Sequence, residues 1–321
     1  MEIIKKSIGG FFELESPPKK NYPYPGTVFF QSARACFRVL LESKRPSVVW
    51  MPKYICDAFI KPVLDLGINI HFYDIGLDLL PTKYPKLKSE DVFVYVNYFG
   101  LCDVQVSIVL SKFNADQVIL DHSQAFFTSP NICLGTIYSP RKFFGVSDGG
   151  GVITKVDIIT INEYDLDSTE HAIHLFKRTN LGPEQAYADF LKSEARLNDT
   201  TPKKMSISTN RLLQSINFDA AKKIRSSNFN YLHSKLASGN EFNINPGYAS
   251  PLCYPFHCAD AKKIKDKLIR NSIYIPTYWT DVLKRVEAHS SEYKLTNDVV
   301  YLPCDHRYDV SDMDRVLEVI N

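Results

Sequence analysis

The stretch that decides the fold is residues 118–154, which read VILDHSQAFFTSPNICLGTIYSPRKFFGVSDGGGVIT. It begins with a short apolar run that ends in a carboxylate, Asp121, as is typical of a buried strand whose last residue faces a site. Lys142 follows in a turn that contains Ser139 and Pro140. Three glycines at 149–151 then precede a β-branched run, which predicts another strand. The stretch therefore predicts an acid and a lysine held close to one site by two strands.

An acid at a strand end, a lysine in a turn and a glycine cluster before a strand are what a pyridoxal 5′-phosphate (PLP) site requires. The lysine holds the cofactor covalently, and the acid keeps the pyridine nitrogen protonated. We expect Asp121 to be buried, because a parallel sheet is covered on both faces, and a pyridinium N–H would satisfy its carboxylate. We expect Lys142 to be buried among aromatic residues, which lowers an amine pKa. The alternatives are a helix N-cap at Asp121 and a surface lysine at Lys142.

The stretch resembles the DegT-type sugar aminotransferases, a branch of the fold type I PLP enzymes. Its pattern Ser-x-x-Lys-aromatic-aromatic-Gly…Asp-Gly-Gly, which starts at Ser139 and ends at Gly150, resembles a shorter sister group more closely. The resemblance runs from about residue 28 to the C-terminus. It implies an α/β fold with a large domain, whose mostly parallel central sheet has helices on both faces, and a small α+β C-terminal domain. We accordingly assign residues 1–26 to an N-terminal arm, 27–240 to the large PLP-binding domain and 241–321 to the small domain.

The composition supports an ordinary globular chain. It has 321 residues, 45% of them hydrophobic and 23% charged, which is enough for one large and one small domain. The net charge of +2 creates no basic field, so nucleic acid is not an expected partner. The seven cysteines are scattered without a C-x-x-C pair, which indicates a reduced compartment and no metal site. Neither a signal peptide nor a membrane span is predicted, so we expect a cytoplasmic protein.

Strand and helix patterns alternate along the chain. Strand–helix–strand patterns between residues 47 and 73 predict a parallel sheet. Apolar residues at helical spacing predict a helix over 28–41, for which Ser32 can serve as the cap, and one long helix at about 208–237. In the C-terminal part we expect a short strand at 273–276 and a last helix capped by Ser311.

The helix that Ser32 caps presents free N–H groups and a positive dipole end, which suits a phosphate. The resembled family places its PLP phosphate there, so the resemblance implies that Ala33, Arg34 and Ala35 bind the cofactor. Arg34 stands where the family has a threonine. A plain N-cap is the alternative interpretation.

The resemblance implies further contacts with the cofactor. Gln124 would donate a hydrogen bond to the phenolate oxygen of the ring, and Ser139 would donate to the phosphate. Tyr54 is our choice for the aromatic residue that covers the ring, although strict spacing points to Cys56, and Tyr54 could equally be ordinary core. His122 is expected either to orient neighbouring groups or to be solvated.

Tyr278 and Trp279 lie in a loop that resembles the substrate entrance of the family. Either could stack on a substrate ring, and a surface aromatic is the alternative.

The resemblance implies an enzyme, a PLP-dependent aminotransferase. Lys142 would be catalytic, glutamate would be the amino donor, and a keto sugar, with a nucleotide-linked sugar as one form, would be the acceptor in surface-polysaccharide or related biosynthesis. A homodimer is expected, because fold type I sites are usually completed across a subunit interface. Two alternatives stay open: a non-catalytic fold type I regulatory or scaffold protein, and a PLP enzyme that acts on a non-sugar substrate.

Overall fold

The computed structural model describes residues 9–15, 20–244 and 250–320, and these residues form two β-sheets. The larger sheet has seven strands in the order β1-β7-β6-β5-β4-β2-β3. The strands are Val28–Phe30 (β1), Val48–Pro52 (β2), Asn69–Tyr73 (β3), Asp91–Val96 (β4), Val118–His122 (β5), Gly135–Tyr138 (β6) and Gly150–Ile153 (β7). Strands β2 to β6 pair in parallel, whereas β7 pairs antiparallel with both β6 and β1.

Helices follow or connect these strands. They are Ala33–Lys44 (α1), Asp57–Asp65 (α2), Asp103–Lys112 (α3), Ile173–Leu181 (α4), Pro183–Arg196 (α5), Ile207–Ser215 (α6) and Phe218–Leu236 (α7). Every residue of β4 and β5 is buried, as expected for central strands of a parallel sheet that is covered on both faces. The carboxyl ends of these strands are where a doubly wound sheet places its ligands.

The C-terminal part contains the second sheet, in which Cys253–His257 (β8) and Val299–Pro303 (β9) pair antiparallel. Three helices accompany it: Ala261–Arg270 (α8), Ser291–Asn297 (α9) and Val310–Ile320 (α10). The predicted boundary at residue 240 falls between α7 and β8. The α/β architecture that the sequence predicted, with a mostly parallel central sheet and a small second sheet, is confirmed.

Gly150 brings strand β7 against the start of helix α1. A Cβ atom added to Gly150 would lie 2.2 Å from the carbonyl carbon of Ser32 and 2.4 Å from the amide nitrogen of Ala33. Only a residue without a side chain allows the two backbones to approach this closely. The middle glycine of the Gly149–Gly151 cluster thus fixes the position of the helix N-terminus relative to the sheet.

Asp148, which precedes the glycine cluster, is fully buried. Its carboxylate accepts hydrogen bonds from the amide and the hydroxyl group of Ser206, both at 2.7 Å, and from the hydroxyl of Ser168 at 2.8 Å. Ser206 is the N-cap of α6. The acid of the Asp-Gly-Gly pattern therefore anchors α6 against the sheet.

The structure corrects four predictions about secondary structure. Residues 28–30 form strand β1 rather than part of a helix, because they pair with β7. The long helix at 208–237 is two helices, since Ile216 is extended and the side chain of Asn217 caps α7 at the amide of Ala220. Residues 273–276 form no strand. The amides at the start of α10 are capped by Asp309, not by Ser311.

Among the helices in the described part of the chain, none combines the length and the apolarity needed to cross a membrane. All seven cysteines are free. The described residues include no cluster of three or more His, Cys, Asp or Glu side chains placed to hold a metal ion.

Candidate active site

A cavity of about 1320 Å³ lies at the carboxyl ends of the central strands, between the start of α1, the α4–α5 helix pair and the C-terminal part of the chain. Eight of the residues that the sequence predicted for the site line it: Ala33, Arg34, Asp121, Gln124, Ser139, Lys142, Tyr278 and Trp279. Two predicted residues, Ala35 and Tyr54, do not. The fold therefore brings residues from three separated parts of the sequence to one place.

Asp121 is buried near the end of β5 and faces the cavity. One carboxylate oxygen accepts a hydrogen bond from the amide of Ser123 at 2.8 Å, and the other has no donor among the described residues. Burial raises the pKa of this carboxyl, and the nearby charge of Lys142 offsets only part of that effect. A buried carboxylate that has one oxygen without a donor favours a cationic or N–H-bearing partner in the cavity.

Lys142 ends a single 3-10 turn at Pro140–Lys142. Its amide donates to the carbonyl oxygen of Ser139 at 3.1 Å, and the next amide, that of Phe143, donates to Pro140 at 2.9 Å. Our prediction that this lysine is buried among aromatic residues is wrong: Phe143 and Phe144 are buried in the core, whereas Lys142 is exposed on the cavity wall. The turn fixes the backbone and leaves the amine free to reach a ligand.

Gln124 is almost completely buried and also faces the cavity. Its side-chain oxygen accepts a hydrogen bond from the amide of Phe99 at 3.0 Å, which orients the side-chain nitrogen away from that amide. The nitrogen has no partner among the described residues. A buried donor of this kind costs free energy unless a ligand accepts from it.

The N-terminus of α1 is capped as the sequence predicted. The hydroxyl oxygen of Ser32 accepts from the amide of Ala35 at 3.1 Å, which occupies that donor. Ala35 is also fully buried and does not reach the cavity, so its predicted role in binding is wrong. The amides of Ala33 and Arg34 have no acceptor among the described residues, and they stay available to an anion.

Tyr54 lies in the core rather than in the cavity wall. Its hydroxyl group donates to the carbonyl oxygen of Tyr278 at 2.5 Å and lies 2.7 Å from the hydroxyl oxygen of Tyr301. Our choice of Tyr54 to cover the cofactor ring is therefore wrong, and its interpretation as a core residue applies. Cys56, to which the strict family spacing pointed, lines the cavity in its place, and burial, the largest effect, raises the pKa of its thiol.

Ser139, Tyr278 and Trp279 complete the set of predicted wall residues. Ser139 is buried beside the lysine turn, and the two aromatic residues are half-buried. The ring of Tyr278 packs against that of Tyr301 with centroids 4.9 Å apart, and Trp279 packs against Tyr54 at 5.1 Å. Both aromatics thus serve the packing between the two parts of the chain while they face the cavity.

Comparison with known proteins supports the same architecture. The sequence matches no family model and no curated protein. Solved structures do match. The sugar aminotransferase CalS13 from Micromonospora echinospora is 15% identical with a TM-score of 0.60, and the match covers 92% of this chain and 87% of that one. A DegT DnrJ EryC1 StrS aminotransferase from Brucella abortus is 16% identical with a TM-score of 0.57, covering 92% and 84%. NtdA from Bacillus subtilis, with bound cofactor PMP, is 15% identical with a TM-score of 0.63, covering 92% and 72%.

The chain has the fold of the DegT-type sugar aminotransferases. The resemblance that the sequence suggested is confirmed at the level of the fold. At these identities the likeness shows the fold alone.

Several charged residues of the cavity wall were not found from the sequence, among them Arg141, Glu194 and Arg225. Arg34 and Arg141 both pair with Glu194 of α5. Burial alone would raise the pKa of Glu194, but the charges of the two arginines outweigh it and lower that pKa. Arg141 is adjacent to Lys142 in the sequence, and this position is the signal that indicates it. Glu194 lies far along the chain and has no local signature.

Arg225 of α7 is another wall residue that was missed. It is fully buried, and its guanidinium lies over the ring of Phe143 at 4.6 Å and donates to the carbonyl oxygen of Phe143 at 3.4 Å. It also donates to the carbonyl oxygens of Pro251 and Leu252 at 3.4 and 3.5 Å. Arg225 therefore connects the lysine turn to the segment that leads into β8. Helical spacing places residue 225 inside the molecule but does not indicate what it contacts.

His122, next to Asp121 in β5, is fully buried and not solvated. Neither ring nitrogen has a hydrogen-bond partner among the described residues, and burial lowers the pKa of the imidazole to about 3. The ring packs edge-on against Tyr138 at 5.5 Å. It is therefore neutral at physiological pH and does not line the cavity.

Proposed function

We propose that this protein is a PLP-dependent aminotransferase that moves an amino group from an amino acid to a keto sugar. One observation carries the proposal: the amine of Lys142 and the buried carboxylate of Asp121 face the same cavity, close enough for the lysine charge to act on the carboxyl pKa. The unpaired side-chain nitrogen of Gln124 opens onto the same space. In this proposal the three groups would hold PLP from different sides: Lys142 covalently, Asp121 at the pyridine nitrogen and Gln124 at the phenolate oxygen.

The residues fit the cofactor group by group. Asp121 would accept from the protonated pyridine nitrogen, which satisfies its free carboxylate oxygen and opposes the burial that raises its pKa. Gln124 would donate to the phenolate oxygen. The unpaired amides of Ala33 and Arg34, with the hydroxyl group of Ser139, would donate to the phosphate at the positive end of α1.

Bound PLP supplies an electron sink for the negative charge that develops at the amino-acid Cα. Lys142 has two tasks in such a reaction. Its Nζ would hold the cofactor covalently, and after an incoming amine had displaced it, the free amine of Lys142 would accept the proton from the amino-acid Cα as a general base and later donate it back as a general acid. The exposed position of Lys142 on the cavity wall, at the end of a fixed turn, suits a side chain that has to move between these tasks.

The dimensions of the cavity favour a large acceptor. Ligand pockets usually enclose roughly 300–1,000 Å³, and about 1320 Å³ is present here. This supports a site that admits a sugar with a bulky substituent beside the cofactor. We further propose glutamate as the donor, a nucleotide-linked form of the sugar, a homodimer and a cytoplasmic location, all of which rest on the resemblance.

The test is covalent mapping. Purified protein is incubated with PLP, reduced with borohydride and digested, and the cofactor mass is expected on Lys142. K142A should lose the label. K155A, which removes an exposed lysine that does not line the cavity, should keep it. Adding glutamate before reduction should remove the label by converting the cofactor to its amine form. A label on Lys142 that no amine donor removes would favour the non-catalytic alternative, and a wild-type protein without label would refute the proposal.

A further inference from the structure

The start of α1 and the lysine turn each contribute an arginine to the cavity wall. Arg34 is the second residue of the helix, beside the unpaired amides, and Arg141 immediately precedes Lys142. Both side chains are largely buried, with 15% and 12% of their surface exposed. Burial is the largest effect on Arg34 and lowers its pKa, and the charge of Arg141 acts in the same direction. Two guanidiniums are therefore held close together in a poorly solvated place.

Glu194 is the group that holds these like charges together. One of its carboxylate oxygens lies 3.7 Å from Arg34, and the other pairs with Arg141. The charge of Lys142 also contributes to the lowered pKa of Glu194, so three cations act on a single carboxylate. The local balance of these four groups is a net charge of +2, which a phosphate dianion would match.

A dianion that approaches the free amides of α1 meets both attraction and competition. The two arginines attract it, whereas Glu194 repels it and already accepts a hydrogen bond from the guanidinium of Arg141. Arg34 keeps a second contact, from its Nη1 to the side-chain oxygen of Asn198 at 3.2 Å, which does not depend on Glu194. The arginine can thus stay in place while its carboxylate partner is exchanged.

We propose that Arg34 and Arg141 form a phosphate clamp in which Glu194 is an exchangeable counter-anion. The proposal rests on the proposed function in one respect, namely that the phosphate belongs to the cofactor. Binding of the phosphate replaces the carboxylate of Glu194 at the two guanidiniums, and the affinity is set by this competition. Glu194 therefore tunes how tightly the protein holds a phosphorylated ligand.

The experiment measures binding of inorganic phosphate to the full-length protein by calorimetry, at constant pH and ionic strength. We expect E194Q to bind phosphate about tenfold more tightly, and R141M about tenfold more weakly, because charge-assisted hydrogen bonds are gained or lost. E163Q is the matched control, since Glu163 also forms an ion pair, with Lys203, but lies outside the cavity wall. It should bind like the wild type. E194D, which keeps the charge and shortens the reach, should show a smaller gain and replaces E194Q if that variant does not fold.

The results separate this proposal from the aminotransferase proposal. Unchanged or weaker phosphate binding in E194Q or E194D, or no measurable binding in any variant, would overturn the clamp even if Lys142 carries the cofactor. Tighter binding in E194Q would support the clamp as an anion site even if borohydride labels no lysine, in which case only the aminotransferase proposal fails.

Discussion

Replacing Gly150 with alanine is expected to disturb the fold and the site together. The added Cβ would lie 2.2 Å from the carbonyl carbon of Ser32 and 2.4 Å from both the Ser32 oxygen and the Ala33 nitrogen. All three are backbone atoms at the N-terminus of α1, so no side-chain rotation can relieve the overlap. Either strand β7 or the start of the helix has to move.

The size of the effect follows from the kind of atoms that collide. Overpacking a core costs about 1–3 kcal/mol when side chains can adjust, and backbone overlap places G150A at the upper end, about 3 kcal/mol. For a chain of this size such a loss lowers the melting temperature by about 4 to 5 °C. Because the displaced atoms carry the free amides of Ala33 and Arg34, phosphate binding should weaken as well.

The assay is thermal unfolding followed by circular dichroism, combined with phosphate calorimetry. Gly239→Ala is the matched control, because an added Cβ there meets no atom within 4 Å and its backbone needs no glycine conformation. G239A should melt like the wild type. A melting temperature of G150A within about 2 °C of the control would refute the claim that this close approach fixes the helix.

Two further predictions concern residues beside the cavity. Because the pKa of buried His122 is lowered to about 3, below the roughly 6.5 of an unfolded chain, its contribution to stability is complete above about pH 6.5 and is lost as the pH falls through the folded value. H122F, which keeps the aromatic contact with Tyr138, should flatten the fall in melting temperature between about pH 6.5 and 4, and parallel curves would contradict this. R225M removes the donor to Phe143 and should weaken PLP attachment at Lys142 about tenfold, with partial recovery in R225K, as measured by the visible absorption of the bound cofactor. Unchanged attachment would show that Arg225 does not position the turn.

The sequence predicted the parts of the site that depend on local pattern. Asp121 at the end of an apolar run, Lys142 in a proline turn and Ser32 as a helix cap each carry their signal within a few residues, and each lies where that signal indicated. Tyr54 shows the limit of such reasoning. An aromatic residue at nearly the right spacing is indistinguishable in sequence from a core residue, and two hydroxyl contacts to distant residues decide its place.

Other features depend on tertiary contacts that no local pattern encodes. The long predicted helix is interrupted because Asn217 caps a new helix, and an asparagine inside a helical pattern does not by itself show this. The pairing of β1 with β7 joins residues more than a hundred positions apart. Glu194 meets Arg34 and Arg141 only because α5 packs back over the cavity.

The hydroxyl contacts of Tyr54 also bear on how a molecule gains entry. They join Tyr54 to Tyr278 and Tyr301 in the C-terminal part of the chain. Separating the large sheet from the C-terminal part at this place would leave buried polar groups without hydrogen-bond partners, at a cost of about 1–3 kcal/mol for each group. Elsewhere on the cavity wall, Tyr274 donates to Glu184 of α5, and both residues are exposed to solvent. Breaking that bond is cheap, because water replaces either partner. The cavity wall at the Tyr274–Glu184 contact therefore costs less to separate than the side held by the hydroxyl contacts of Tyr54.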